Sequence, residues 1–263
     1  MTTDDVAQWW STAIIDMQPG HIALRGHPIE SLIGHVGFVD MIWLMVCGTM
    51  PNQSQRAVLE AALVAAVDHG PQAPSIAAAR MSITCGVGLN NAMATGVNLL
   101  GDVHGGAGQQ ALALYQSIAE HSTDIGLVEA TRAVLADYRA NFGPYIPGFG
   151  HRFHKPEDPR AKPLMAILRA HAEDPQINAV YADIAEAIQA ELSNGRTVGI
   201  AMNIDGATAA LYGALGVSPA LSRGLFCLSR SVGILAHAWE QMQQGGRNKG
   251  PTPPHYRWTY TGP

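Results

Sequence analysis

Nearly every stretch of this chain long enough for regular structure spaces its apolar residues as one face of a helix would. Alanine, leucine and methionine are abundant, aromatic residues make up 6%, and the alternation with β-branched residues that marks strands is scarce. The pattern points to helix packed on helix. The plainest segment is 53–68, where Val58, Leu59, Ala62, Leu63 and Ala66 form one apolar stripe. Asn52 stands where an N-cap belongs, and His69-Gly70-Pro71 stops the helix, because glycine suits a C-cap and proline forbids continuation. The spacing predicts further helices over 29–46, 75–86, 109–120, 127–141, 158–172, 180–192 and 218–243. Three breaks, 101–108, 142–150 and 245–254, are rich in glycine and proline. With no internal repeat and no long linker, the expectation is an all-α fold whose chemistry sits at the breaks, since loops commonly carry functional groups.

The 263 residues suffice for one large domain or for a larger and a smaller one. Apolar residues are 47% and charged residues only 14%, which predicts either surface buried against a partner subunit or a large internal core. A net charge of −5 argues against general nucleic-acid binding but leaves room for a local basic pocket that takes a phosphorylated ligand. Cys47, Cys85 and Cys227 are far apart, lie in apolar stretches and form no CxxC, so buried free thiols are expected. The N-terminus is acidic where a signal peptide needs basic residues, and the apolar run 41–47 is too short to span a bilayer. A cytosolic protein without a membrane anchor is the expectation.

Four segments combine His, Asp or Arg with glycines that let a ligand approach the backbone. They are Asp68-His69-Gly70-Pro71, the loop 101–106 with Asp102 and His104, the run 147–160 from Pro147-Gly148-Phe149-Gly150-His151 to Asp158-Pro159-Arg160, and Asn203-Ile204-Asp205-Gly206. Each alone has an ordinary structural reading: a helix-end histidine, a tight turn, or Asp205 as a helix cap. His151-x-x-His154 offers two metal ligands, but no third is evident and HExxH is absent, so no metal is expected. There is no GxSxG elbow and no cysteine with a nucleophile signature, which argues against covalent catalysis.

Taken in order, the four segments resemble the citrate synthase/citryl-CoA lyase family. The run 147–161, PGFGHRFHKPEDPRA, is similar to that family's most specific motif, PGxGH followed by DPR. The resemblance starts at Ile22-Ala23-Leu24-Arg25-Gly26 and Pro28-Ile29-Glu30-Ser31-Leu32. It continues through His69, His104-Gly105-Gly106, Asn203-Ile204-Asp205 and Ser229-Arg230, and ends at Ala236-His237-Ala238-Trp239-Glu240-Gln241. Within the family, Val67–Pro71 and Asn203–Gly206 look more like the lyase module at the C-terminus of ATP-citrate lyase and like short stand-alone citryl-CoA lyases, whereas His104 follows the synthase pattern.

The resemblance implies a Claisen condensation or its reverse. Asp205 would be the base, His104 would hydrogen-bond the thioester oxygen, and His151 would polarise the keto acid's carbonyl. His69, Arg160 and Arg230 would bind the substrate's carboxylates. Gly148, Phe149 and Gly150 correspond to the loop that binds the adenine of coenzyme A, and Lys155 is placed to reach a phosphate or else is a solvated surface lysine. An arginine reaching into the partner's site near the C-terminus would be Arg247, with Lys249 as the other candidate. No cofactor is permanently bound; coenzyme A arrives as part of the substrate, alongside a keto or hydroxy acid. The implied architecture is a homodimer with a large helical domain (1–120 and 220–263), a small one (121–219) and a cleft between them. The reading this favours is a citryl-CoA lyase, with a synthase that hydrolyses the thioester and a non-catalytic binder of coenzyme A or carboxylates as the alternatives.

Overall fold

A computed structural model describes residues 3–151 and 153–263 of the chain. They divide into two compact units, Met1–Glu60 and Ala61–Pro263. The first unit opens with α1 (Thr3–Trp9), followed by β1 (Ile15–Gln18), β2 (His21–Leu24) and β3 (His27–Pro28) in an antiparallel sheet of order β1-β2-β3. Ile15 pairs with Leu24 and Gln18 with His21, so Pro19 and Gly20 form the two-residue turn, with Gly20 at φ 78°. Arg25 donates to the Met45 carbonyl at 2.8 Å and so ties the sheet to the helix that follows. That region departs from the predicted single helix over 29–46. It contains α2 (Ile29–Leu32) and α3 (Phe38–Cys47), separated where Gly34 takes φ 78° and Gly37 is extended. The Asp40 carboxylate accepts from the Gly37 N–H and pairs with Arg56, which fixes the start of α3.

Helix α4 (Gln53–Ala66) starts at the expected cap: Asn52 Oδ1 accepts from the Gln55 N–H at 2.8 Å, and Gln55 Oε1 accepts from the Asn52 N–H at 3.0 Å. Its predicted stripe is buried. The second unit continues with α5 (Pro74–Thr84), α6 (Leu89–Asn98), α7 (Ala107–Ile125), α8 (Leu127–Phe142), α9 (Ala161–Ala170), α10 (Val180–Ser193), α11 (Ile204–Ala214) and α12 (Pro219–Gln244). Helix α9 begins three residues later than expected because Asp158 serves the loop before it. Ile76 and Ala79 of α5, Ala92 of α6, and Ile234 and Ala238 of α12 form one core. Gly96 of α6 is needed there, since a Cβ would meet Ile234 at 2.8 Å.

The centre of the second unit is α11, buried at almost every position and packed on α7, α9 and α10. A helix that is apolar all round belongs inside, and this one delivers the candidate base from its first turn. The architecture is thus all-α, with a small sheet added. Among the described residues no helix is long and apolar enough to cross a membrane. The three cysteines are free, but Cys47 and Cys85 are exposed, contrary to the expectation of burial: both sit at helix ends, where an apolar stretch reaches the surface.

Candidate active site

Asp205 occupies the second position of α11. Asn203 caps the helix, its Oδ1 accepting from the N–H groups of Asp205 and Gly206. The segment before the cap pairs with the loop that carries His151. Gly150 N–H donates to the Ala201 carbonyl at 2.8 Å, Asn203 N–H to the Gly148 carbonyl at 3.0 Å, and the Asn203 side chain to the Gly150 carbonyl at 2.7 Å. The approach is so close that a Cβ on Gly148 would lie 2.7 Å from the Gly206 Cα, and Gly148 itself has φ 87°. Tyr115 supports this joint from below: it is fully buried, packs against Phe149 and donates to the Gly206 carbonyl. His151 and Asp205 are therefore fixed to one another by backbone hydrogen bonds.

The two groups face a cavity of about 190 Å³, lined also by His69, His104, Phe226 and Arg230. Burial pushes the Asp205 carboxyl above the usual carboxylate range, Asp158 adds to this, and Arg230 and Arg160 pull the other way. His104 Nε2 accepts from the Ser75 N–H at 3.2 Å, in the first turn of α5, and lies 2.9 Å from the Ser75 hydroxyl. That bond requires an unprotonated Nε2, so neutral His104 carries its proton on Nδ1. Burial, followed by Arg230, holds the His104 pKa below its ordinary value, consistent with the neutral form.

His151 is set the opposite way. Its Nδ1 accepts from the N–H groups of Phe153 and His154 at 3.1 and 3.0 Å, which leaves the proton on Nε2. Burial and then His154 lower its pKa, against the pull of Asp158. Its ring stands edge-on to His69 at 5.9 Å. Burial, Arg230 and Arg160 likewise lower the His69 pKa. The site thus offers one carboxyl raised by burial and two imidazoles that, when neutral, each present one N–H.

The two arginines differ in how free they are. Arg230 is buried, donates from Nε to the Ala66 carbonyl at 2.9 Å and lies over the Phe226 ring. Its Nε is used in fixing it, while the residue lines the cavity. Arg160 spends its fork on Asp158 at 2.9 and 2.8 Å and does not line the cavity. It acts on His69, His151 and Asp205 through its charge. Asp158 also accepts from the Ile204 N–H, and although burial opposes it, the Arg160 bonds bring its pKa down to about 2.

A second cavity of about 640 Å³ shares His151 and is lined by Phe149, Gly150 and Lys155, with Gly148 behind it against Gly206. Its wall includes Arg139, Tyr145 and Arg196, which sequence reasoning missed; Arg196 lies beside Gly195 and Gly199, a break that was the available signal. Arg247 is exposed in the segment after α12 and lines neither cavity; Lys249 donates from its backbone to Thr84 and from Nζ to Gln241. Among the described residues no cluster of three or more His, Cys, Asp or Glu is arranged to hold a metal ion.

In a mainly helical fold, the described residues thus bring one half-buried carboxyl and two imidazoles of opposite tautomer to the same cavity. The family model "Citrate synthase, C-terminal domain" matches residues 53–252, and the chain belongs to the citrate synthase family. It is 30% identical over 217 residues to citrate synthase of Haloferax volcanii, covering 82% of this chain and 53% of that protein. The chain spans about half the length of the curated relatives it matches. Among solved structures, it resembles citryl-CoA lyase from Hydrogenobacter thermophilus, with a TM-score of 0.81 and 29% identity over 97% of this chain and 96% of that one. ATP citrate lyase from Methanothrix soehngenii, in complex with citrate and coenzyme A, shares the fold at 19% identity, with a TM-score of 0.78, over 100% of this chain and 45% of that one.

Proposed function

We propose that this chain is a citryl-CoA lyase, cleaving citryl-CoA or a close analogue to acetyl-CoA and a keto acid. The observation that carries the reading is the convergence of His104, His151 and Asp205 on one cavity, with the two imidazoles held in opposite tautomers and the carboxyl pushed above its ordinary range by burial. In cleavage the tertiary hydroxyl gives its proton to solvent water, His151 Nε2–H stabilises the alkoxide, and the carbon–carbon bond breaks as the ketone forms. The bonding pair becomes a thioester enolate, whose oxygen takes the His104 Nδ1–H bond. Asp205 then gives its proton to the methylene carbon. Overall, one proton leaves the hydroxyl and one arrives at the methyl group, so Asp205 must be reprotonated before the next turnover. In reverse, the Asp205 carboxylate removes the methyl proton and the enolate attacks the keto acid.

Arg230 and His69 line the smaller cavity and would bind the substrate's carboxylates, and Arg139, Lys155 and Arg196 give the larger cavity a basic wall suited to the phosphates of coenzyme A. His69, His104 and Arg230 come from 61–120 and 220–263, His151 and Asp205 from 121–219, which supports a cleft that closes on substrate. The lyase direction is favoured by the likeness to the Hydrogenobacter thermophilus enzyme over nearly the whole of both chains. Synthase activity with thioester hydrolysis is the second reading, favoured by curated relatives named citrate synthase. A homodimer is part of the proposal: Leu228, Val232, Leu235, Trp239 and Met242 leave an exposed apolar stripe along α12 at coiled-coil spacing.

The test is to give the protein citryl-CoA, or acetyl-CoA with oxaloacetate, and follow thioester and keto acid by mass spectrometry. A lyase releases acetyl-CoA and oxaloacetate from the first mixture without citrate. A synthase makes citrate and free coenzyme A from the second. Asp205→Asn should lower either rate by about 10²–10⁴-fold. Silence in both mixtures would refute the proposal.

A further inference from the structure

Residues 67–70 leave helix α4 and present His69 to the cavity with no regular structure of their own. What holds them is one side of α12. Ser229 donates to the Leu63 carbonyl and Arg230 to the Ala66 carbonyl. Gly233 then comes so close to the Val67 carbonyl that a side chain has no room, and its Cβ position lies 3.0 Å from Asp68 Oδ1. One turn further on, His237 Nε2 reaches the same Asp68 oxygen at 3.2 Å.

The partners of His237 fix its tautomer. Its Nδ1 lies 3.2 Å from Arg80 Nη1, which is a donor only, so Nδ1 accepts and Nε2–H donates to Asp68. Arg80 is in turn held by Glu240 at 2.6 Å and Gln244 at 2.9 Å. The other Asp68 oxygen accepts from the Gly70 N–H at 3.2 Å, closing a bridge across His69. Burial pushes the Asp68 carboxyl up, but the bonds from the Gly70 N–H, from His237 and from the His69 N–H outweigh it and keep the group below its ordinary value. His237 and Glu240 belong to the last motif singled out in the sequence, and no step of the proposed reaction uses them.

We infer that His237 is a positioning residue for the substrate acid, acting through Asp68 to aim His69 into the cavity. The inference rests on the acid-binding role given to His69 above. It differs from a general packing role in what it moves: the acid's affinity, with acyl-CoA binding left alone. His237→Ala removes the donor to Asp68. His237→Gln keeps it, because a glutamine amide donates to Asp68 while its carbonyl accepts from Arg80.

The experiment compares wild type, His237→Ala and His237→Gln by calorimetric titration with oxaloacetate and with acetyl-CoA, and by ¹⁵N-histidine ring spectra of the free proteins. His237→Ala should weaken oxaloacetate binding, and raise the KM for the acid, about tenfold, as expected for loss of one hydrogen bond to a carboxylate, with kcat and acetyl-CoA affinity changed less than threefold. The His69 ring signals should shift in His237→Ala and return in His237→Gln, while those of His121, exposed on α7, stay put. Equal losses in acid and acyl-CoA binding, failure of glutamine to rescue, or an unmoved His69 signal would each overturn the inference. The spectra do not depend on turnover: if wild type neither binds oxaloacetate nor acts on citryl-CoA, the proposed function fails, and the His69 signals still decide whether His237 aims this residue.

Discussion

Replacing Gly206 by alanine puts the joint between His151 and Asp205 to a test in which two physical effects have opposite signs. Gly206 lies in the first turn of α11, and glycine-to-alanine in a helix ordinarily stabilises by about 0.5–1 kcal/mol. Here the new Cβ would stand 2.9 Å from Met202 Cγ and 3.1 Å from the Gly148 carbonyl carbon, and nearer still to the Gly148 oxygen. Carbon atoms prefer roughly 3.5–4.0 Å, so one side must withdraw by about 0.5 Å or more. Neither side yields cheaply, because Gly148 is bonded to Asn203 and Gly206 to Tyr115. Overpacking of this kind costs about 1–3 kcal/mol, leaving a net loss of up to about 2.5 kcal/mol. For a chain of this size, that lowers the Tm by up to about 10 °C. The same displacement moves Asp205 relative to His151, and misplacement on the ångström scale costs on the order of 10²-fold in rate. Calorimetry and kcat for citryl-CoA cleavage read both effects. A variant as stable as wild type or more so, with undiminished kcat, would refute the claim that the backbone contact sets the site's geometry.

Other expectations follow from the charges. On the proposed mechanism cleavage needs Asp205 protonated and condensation needs it ionised, so the cleavage rate should fall, and the condensation rate rise, as pH increases through a midpoint above the usual carboxylate range; kcat against pH in both directions checks this. Asp158 is held at about 2 against an ordinary 3.8, so its contribution to stability is complete above pH 3.8 and is lost as pH falls toward 2. Because Arg160 keeps 22% of its side chain in water, that contribution is reduced to roughly 1–2 kcal/mol, and Asp158→Asn should flatten the acid limb of the unfolding curve by that amount. Arg196→Ala and Arg139→Ala should each raise the KM for acyl-CoA about tenfold at low salt and less at high salt, with kcat little changed; an unchanged KM would remove the larger cavity from consideration as the phosphate site.

What could be read in advance depended on whether a residue's role left a local trace. Helix α4 was legible because its cap and its stripe obey one period. Helix α11 was not: Ala207, Ala209, Ala210 and Leu211 are all buried, and a helix apolar on every side shows no stripe. The sheet over 15–28 escaped notice because its strands are two to four residues long and β1 is exposed throughout, so no alternation develops. The site residues that fell in glycine-rich motifs, His69, His104, His151 and Asp205, converge on the smaller cavity. Arg160 stood in the same motif, but nothing in its neighbourhood announced that Asp158 would occupy its fork. Arg139 lies on the regular surface of α8 and becomes relevant only through folding, so no motif marked it.

The burial of α11 ties competence to the native state in an all-or-none way. Its amides are covered on every side, so they should exchange hydrogen only when the whole unit opens, more slowly than those of the exposed ends of the chain. A partly opened molecule that has lost this helix has lost Asp205, and with it the candidate site, in the same step.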